Sequence, residues 1–117
     1  PETRHNACQR IRKSIAAEPL YIAGHDRACS AINSAYGEAI TVKTGAEGVY
    51  SAAFHELGLG AALKARDGNK RGAEVAIGAV IRALGYPTDG LVKNFFEPTL
   101  LNWAGEEVGD ITVPQFL

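Results

Sequence analysis

The chain has 117 residues, 46% of them hydrophobic and 21% charged, with a formal net charge of −1. That length holds one domain with a working core, and that composition excludes disorder and low complexity. Near-neutral charge argues against nucleic acid or an anionic membrane as partner, and no run approaches the roughly 18–20 apolar residues that span a bilayer.

The first predicted element is a helix from Glu2 to Ala17. Ala7, Cys8, Ile11 and Ile15 recur there at helical spacing, and Arg4, Arg10, Arg12 and Lys13 fall largely elsewhere. Pro19 stops it, because Glu18 before a proline is driven out of the helical region. Leu20 to Ala23 reads as a short apolar link. Asp26 is the expected cap of a second helix running to about Tyr36, with Ala28, Cys29, Ile32, Ala35 and Tyr36 inward and Gly37 as its left-handed terminator.

The period then changes. Ala39 to Lys43, Val49 to Phe54 and Leu59 to Ala65 are short runs rich in small or β-branched apolar residues, joined by brief glycine-bearing connections. Such connections favour antiparallel neighbours, since a parallel crossover needs a dozen or more residues. After Asp67-Gly68-Asn69 the clearest helix runs from about Lys70 to Leu84, striped by Ala73, Ala76, Ile77, Val80, Ile81 and Leu84 and ended by Gly85-Tyr86-Pro87. Thr88 is the expected cap of a short helix holding Leu91, Val92, Phe95 and Phe96. Val108 to Val113 is a candidate final strand at a sheet edge, while Phe95, Phe96 and Trp103 read as core or as a surface left bare. The pattern predicts an α+β fold of two helices, a three-strand antiparallel meander, and helices packed back on the sheet.

Cys8 and Cys29 are too few for a disulfide framework and lie in no C-x-x-C arrangement. They read as buried thiols of a reducing compartment, which points to a cytoplasmic protein. The chain has no methionine and opens on Pro1, so the biological start is expected upstream.

The most informative stretch is Lys43-Thr44-Gly45, which closes one strand-like run before Gly48-Val49-Tyr50 opens the next. K-T-G is one of three motifs of serine β-lactamases and penicillin-binding proteins, beside S-x-x-K and S-D-N, and neither companion is present. As a functional group, Lys43 would be a desolvated amine that takes a proton from a hydroxyl nucleophile; as a bland one, a surface lysine at a strand end. Gly45 and Gly48 keep the turn slim enough for a ligand to approach the backbone. No lysine has a serine three residues before it, so the chain holds no local Ser–Lys pair. His5, His25 and His55 lie far apart in no ligand spacing, and no metal site is expected within the chain. His25-Asp26-Arg27 at a helix start would hold an anion or simply cap the helix.

With these residues in view, the chain resembles the carboxy-terminal part of the Rhizobium-type (bacterial type II, zinc-associated) L-asparaginases. The matching pieces are Glu18-Pro19-Leu20-Tyr21-Ile22-Ala23-Gly24 followed by Arg27 and Cys29, then Val42-Lys43-Thr44-Gly45-Ala46-Glu47-Gly48-Val49-Tyr50. They continue through Leu57-Gly58-Leu59-Gly60, Ala62-Leu63-Lys64 and Asp67-Gly68 to Asn102-Trp103, Gly105 and Val108-Gly109. The resemblance implies a piece of the serine β-lactamase/glutaminase-like fold and hydrolysis of the side-chain amide of L-asparagine to L-aspartate and ammonia. It further implies serine–lysine catalysis, a zinc in the full-length protein, and a homodimer. The nucleophile and zinc ligands would lie in an upstream part of the protein, so the 117 residues alone are expected to be inactive. Lys43 matches a catalytic lysine of the family, and Cys29 a cysteine near the site but outside the zinc set. Arg27, Thr44, Gly45 and Glu47 are the remaining substrate-binding or supporting candidates.

Two other readings compete. One is a stand-alone, non-catalytic module that binds a small amide or a protein partner through an exposed sheet face. The other is a β-lactamase relative, which the Ala46-Glu47-Gly48-Val49-Tyr50 continuation disfavours.

Overall fold

A computed structural model describes residues 1–114 and has the expected α+β architecture, with helices accompanying antiparallel sheets. The chain divides into two compact units, residues 1–44 with 51–62 and residues 45–50 with 63 onward.

In the first unit the helices are α1 (Glu2–Ala17), α2 (Leu20–Ala23) and α3 (Ala28–Tyr36). α1 has the predicted span but buries none of its residues: Ala7, Cys8 and Ile11 are exposed and Ile15 is half-buried. Two isoleucines among alanine and cysteine offer little apolar area to draw a helix inward. The expectation of two buried thiols therefore holds for Cys29 and fails for Cys8. α1 is instead tied by Arg12, whose Nε donates to the Glu38 carbonyl oxygen at 3.0 Å. The expected apolar link at Leu20 is a one-turn helix. Asp26 does not cap α3, because its φ of +53° departs from the extended backbone a capping residue needs; Arg27 holds that position without a side-chain cap.

Strands β1 (Ile40–Thr44), β2 (Val49–Phe54) and β3 (Leu59–Lys64) form a meander in the order β1-β2-β3. The His55 N–H donates to the Ala39 carbonyl at 3.0 Å and the Ser51 Oγ to the Lys43 carbonyl at 3.2 Å. As one strand climbs in number the other falls, which is the antiparallel register the short connection requires. α3 packs against β1, and Ala28, Cys29, Ile32, Ile40, Val42, Ala52 and Phe54 make the core of this unit. Ala35 and Tyr36, expected inward, are exposed and half-buried, whereas Asn33 is fully buried in line with Cys29.

In the second unit the Gly45 N–H closes a turn on the Val49 carbonyl at 2.8 Å, and Glu47 and Gly48 take φ of +56° and +71°. Gly48 is buried so closely that an added Cβ would stand 2.8 Å from the Ala65 Cβ. α4 (Lys70–Ala83) is capped by Asn69, whose side chain accepts the Arg71 N–H at 3.0 Å, and it buries Ala73, Val75, Ile77, Gly78 and Ile81. A 3₁₀ turn (Gly90–Val92) leads into α5 (Lys93–Phe96), which packs on α4; a Cβ at Gly78 would overlap the Phe96 ring. Thr88 does not cap this segment: Asp89 holds the N-cap position without a side-chain cap, and the Thr88 hydroxyl accepts the Arg82 Nε–H at 3.0 Å. The candidate final strand is shorter than expected: β5 (Glu107–Asp110) pairs antiparallel with β4 (Thr99–Leu101) as a separate ribbon, not at the meander's edge. Phe96 is core, Phe95 half-buried and Trp103 fully exposed. Among the described residues no helix is long and apolar enough to cross a membrane.

Candidate functional site

β1 alternates Ile40 and Val42 into the core and Lys43 onto the opposite face, as the two-residue period of a strand dictates. Lys43 is exposed there, and its Nζ donates to the Thr44 carbonyl oxygen at 2.6 Å. The desolvated amine expected from the motif is thus not what the described residues provide, because nothing among them encloses this side chain. What they provide is a backbone held in place beside it. The half-buried Thr44 donates its N–H to the Cys29 Sγ at 3.1 Å, and Cys29 is 1% exposed.

The structure therefore brings Cys29 and Thr44 together next to Lys43. Arg27 stands exposed immediately before α3. Gly45 and Glu47 belong to the second unit, where Gly45 closes the turn and the Glu47 carbonyl accepts the Lys64 ammonium.

Asn33 was not among the sequence candidates. It is 0% exposed; its Oδ1 accepts the Val42 N–H at 3.0 Å, and its Nδ2 donates to the carbonyls of Val42 at 3.0 Å and Cys29 at 2.8 Å. The available signal was an asparagine four residues after Cys29 on an otherwise apolar helix face, since a buried amide must find partners. His55 was also passed over. Its Nε2 lies 2.8 Å from the Thr41 Oγ1, on the strand face that also carries Lys43. Partial burial lowers its pKa below the ordinary 6.5, the Arg12 charge lowers it further, and Glu38 opposes both.

Among the described residues no three His, Cys, Asp or Glu side chains lie together as a metal-holding group. Chemically, the arrangement offers an accessible amine on a fixed strand end beside a glycine turn. It can exchange a proton with a hydroxyl brought to it.

The L-asparaginase II family model matches residues 1–113. No curated protein matches the chain.

Proposed function

The chain belongs to the L-asparaginase II family, and from that premise we propose that it serves in the hydrolysis of the side-chain amide of L-asparagine to L-aspartate and ammonia. The observation that carries the proposal is the extent of the family match, which leaves only the last four of the 117 residues outside it. Lys43 is the residue assigned to chemistry. Acting as general base, its amine takes the proton of a serine hydroxyl supplied by another part of the protein, and the serine oxygen forms a bond to the amide carbon. The proton passes to the departing nitrogen, the C–N bond breaks and ammonia leaves. Water then cleaves the serine ester to release aspartate.

Thr44 and Gly45 follow Lys43 as the turn that lines the reacting amide, with Arg27, Cys29 and Glu47 as supporting or substrate-binding residues. The finer assignments go with this reading: the Rhizobium-type, zinc-associated branch, a β-lactamase-like fold, a homodimer and a cytoplasmic location. Any zinc would be held outside the described residues, and no step above uses it. The exposure of Lys43 in this chain suits an amine that meets its nucleophile from a different segment.

The test is Lys43→Ala in the full-length protein. Ammonia release from L-asparagine should fall at least about a hundredfold, the scale of a lost general base, while circular dichroism and melting stay as in the parent. Activity within a few-fold of the parent would return Lys43 to an ordinary surface lysine.

A further inference from the structure

β1 is an edge strand, so Val42 and Thr44 direct their backbone groups away from β2, where a sheet edge normally meets water or another strand. Here one face of α3 takes that place. Asn33 acts as a neighbouring strand would, accepting the Val42 N–H and donating to the Val42 carbonyl, both at 3.0 Å. One helical turn earlier on the same face, the Cys29 Sγ accepts the Thr44 N–H at 3.1 Å. The two are tied to each other, because Asn33 Nδ2 also donates to the Cys29 carbonyl at 2.8 Å. Lys43 is the residue between the two clamped positions.

Of the other buried residues of α3, Ala28 and Ile32 are apolar and the Ser30 Oγ donates to the Gly24 carbonyl at 2.6 Å. Burying an amide costs stability unless it is hydrogen-bonded. Asn33 and Cys29 are the two that bond to β1, on either side of the lysine.

We propose that Asn33 and Cys29 are positioning residues, an i,i+4 pair on α3 that fixes the strand backbone on both sides of Lys43 and so sets where its amine meets the nucleophile. The inference rests on the reading of Lys43 as the proton acceptor. Both residues are at most 1% exposed. Their effect comes through the strand, and a small misplacement of a reacting group costs up to about a hundredfold in rate.

Cys29 gives the cleaner test, because size and hydrogen bonding can be separated there. In the full-length protein Cys29→Val keeps an apolar side chain of similar bulk without an acceptor, whereas Cys29→Ser is smaller and more polar but can accept the Thr44 N–H. Positioning predicts that kcat for L-asparagine falls about tenfold or more in Cys29→Val with KM nearly unchanged, and that Cys29→Ser recovers most of it. A space-filling role predicts the reverse order, since a buried hydroxyl packs worse than an isopropyl group. That order, or parental kcat in both variants, overturns the proposal. If Cys29→Val does not fold, Cys29→Ala replaces it and the same ranking against Cys29→Ser decides. Lys43→Ala separates the two levels. Retained activity there defeats the base assignment itself, whereas an inactive Lys43→Ala beside a fully active Cys29→Val defeats only the positioning.

Discussion

The outer edge of β1 and the β4–β5 ribbon meet the same difficulty, strands without a full set of neighbours, in opposite ways. At β1 the edge is closed by side chains from α3, and Asn33, Val42 and Cys29 are each at most 1% exposed. In the ribbon, Thr99 pairs with Asp110, Leu100 with Gly109 and Leu101 with Glu107, and Val108 is the extra residue of a bulge. Leu101 and Val108 are more than half exposed and Trp103 wholly so. Its turn is nonetheless well bonded: the Asn102 Oδ1 accepts the N–H groups of Ala104 and Glu106, both at 2.9 Å. Hydrogen bonds of nearly equal length thus occur in both regions, but they do not weigh equally. Breaking a buried one strands a dry donor, whereas water replaces an exposed one at little cost. Geometry that must not drift belongs at the first kind of edge, and Lys43 is there.

The sharpest way to break this comparison is Asn33→Ala. It removes three buried hydrogen bonds and leaves the Val42 N–H dry, so stability should fall by about 3 kcal/mol or more. Denaturant titration reads this as a lower midpoint at an unchanged slope. A loss under about 1 kcal/mol would mean that water reaches the β1 edge, and the contrast with the ribbon would collapse.

How much of this was legible in the sequence follows from which features are local. The span of α1, the limits of β2 and the meander were legible because period, proline and glycine act within a few residues. The family was legible in an ordered set of pieces around Lys43-Thr44-Gly45 and Cys29, and residues 1–113 match it. What was not legible depends on distant partners. The α1 stripe predicted an inward face, but periodicity says which side is apolar and not whether anything stands opposite to cover it. Asp26 has a capping residue's chemistry, and the backbone at φ +53° withholds the geometry. Asn33 was not singled out, because its partner Val42 lies on a strand the helix does not specify. The exposure of Lys43 was hidden for the same reason: a motif names the group, while solvent access depends on what folds over it.

The ribbon supplies a weaker test from the other side. Asn102→Ala removes the acceptor that shapes the turn, but in an exposed setting it should cost only about 1 kcal/mol. The loss should appear as faster amide exchange confined to residues 99–110. Trp103→Ala, at a fully exposed position, should change stability by less than about 0.5 kcal/mol. A larger loss from Trp103 than from Asn102 would show that the indole is packed in solution and that the ribbon is not the bare region described.

Thr41 and His55 fall between the two regimes, on a half-buried face of the same sheet. Burial and the Arg12 charge place the His55 pKa in the folded chain below its ordinary 6.5, so the unfolded chain binds that proton more readily. Stability should therefore rise with pH: the contribution is complete above about pH 6.5, declines as the pH drops through that value, and levels off below the lower folded-state pKa. The effect should be the smallest of the set, because solvent screens much of the Arg12 charge at a partly exposed ring. His55→Gln removes the titration and keeps an amide that can still reach Thr41. The stability of the parent minus that of His55→Gln should then increase between about pH 5 and 7, and Arg12→Ala should flatten that slope without abolishing it, since desolvation is the larger cause. A slope of the opposite sign would mean that the imidazolium is the favoured form and that Glu38, not Arg12, governs this face.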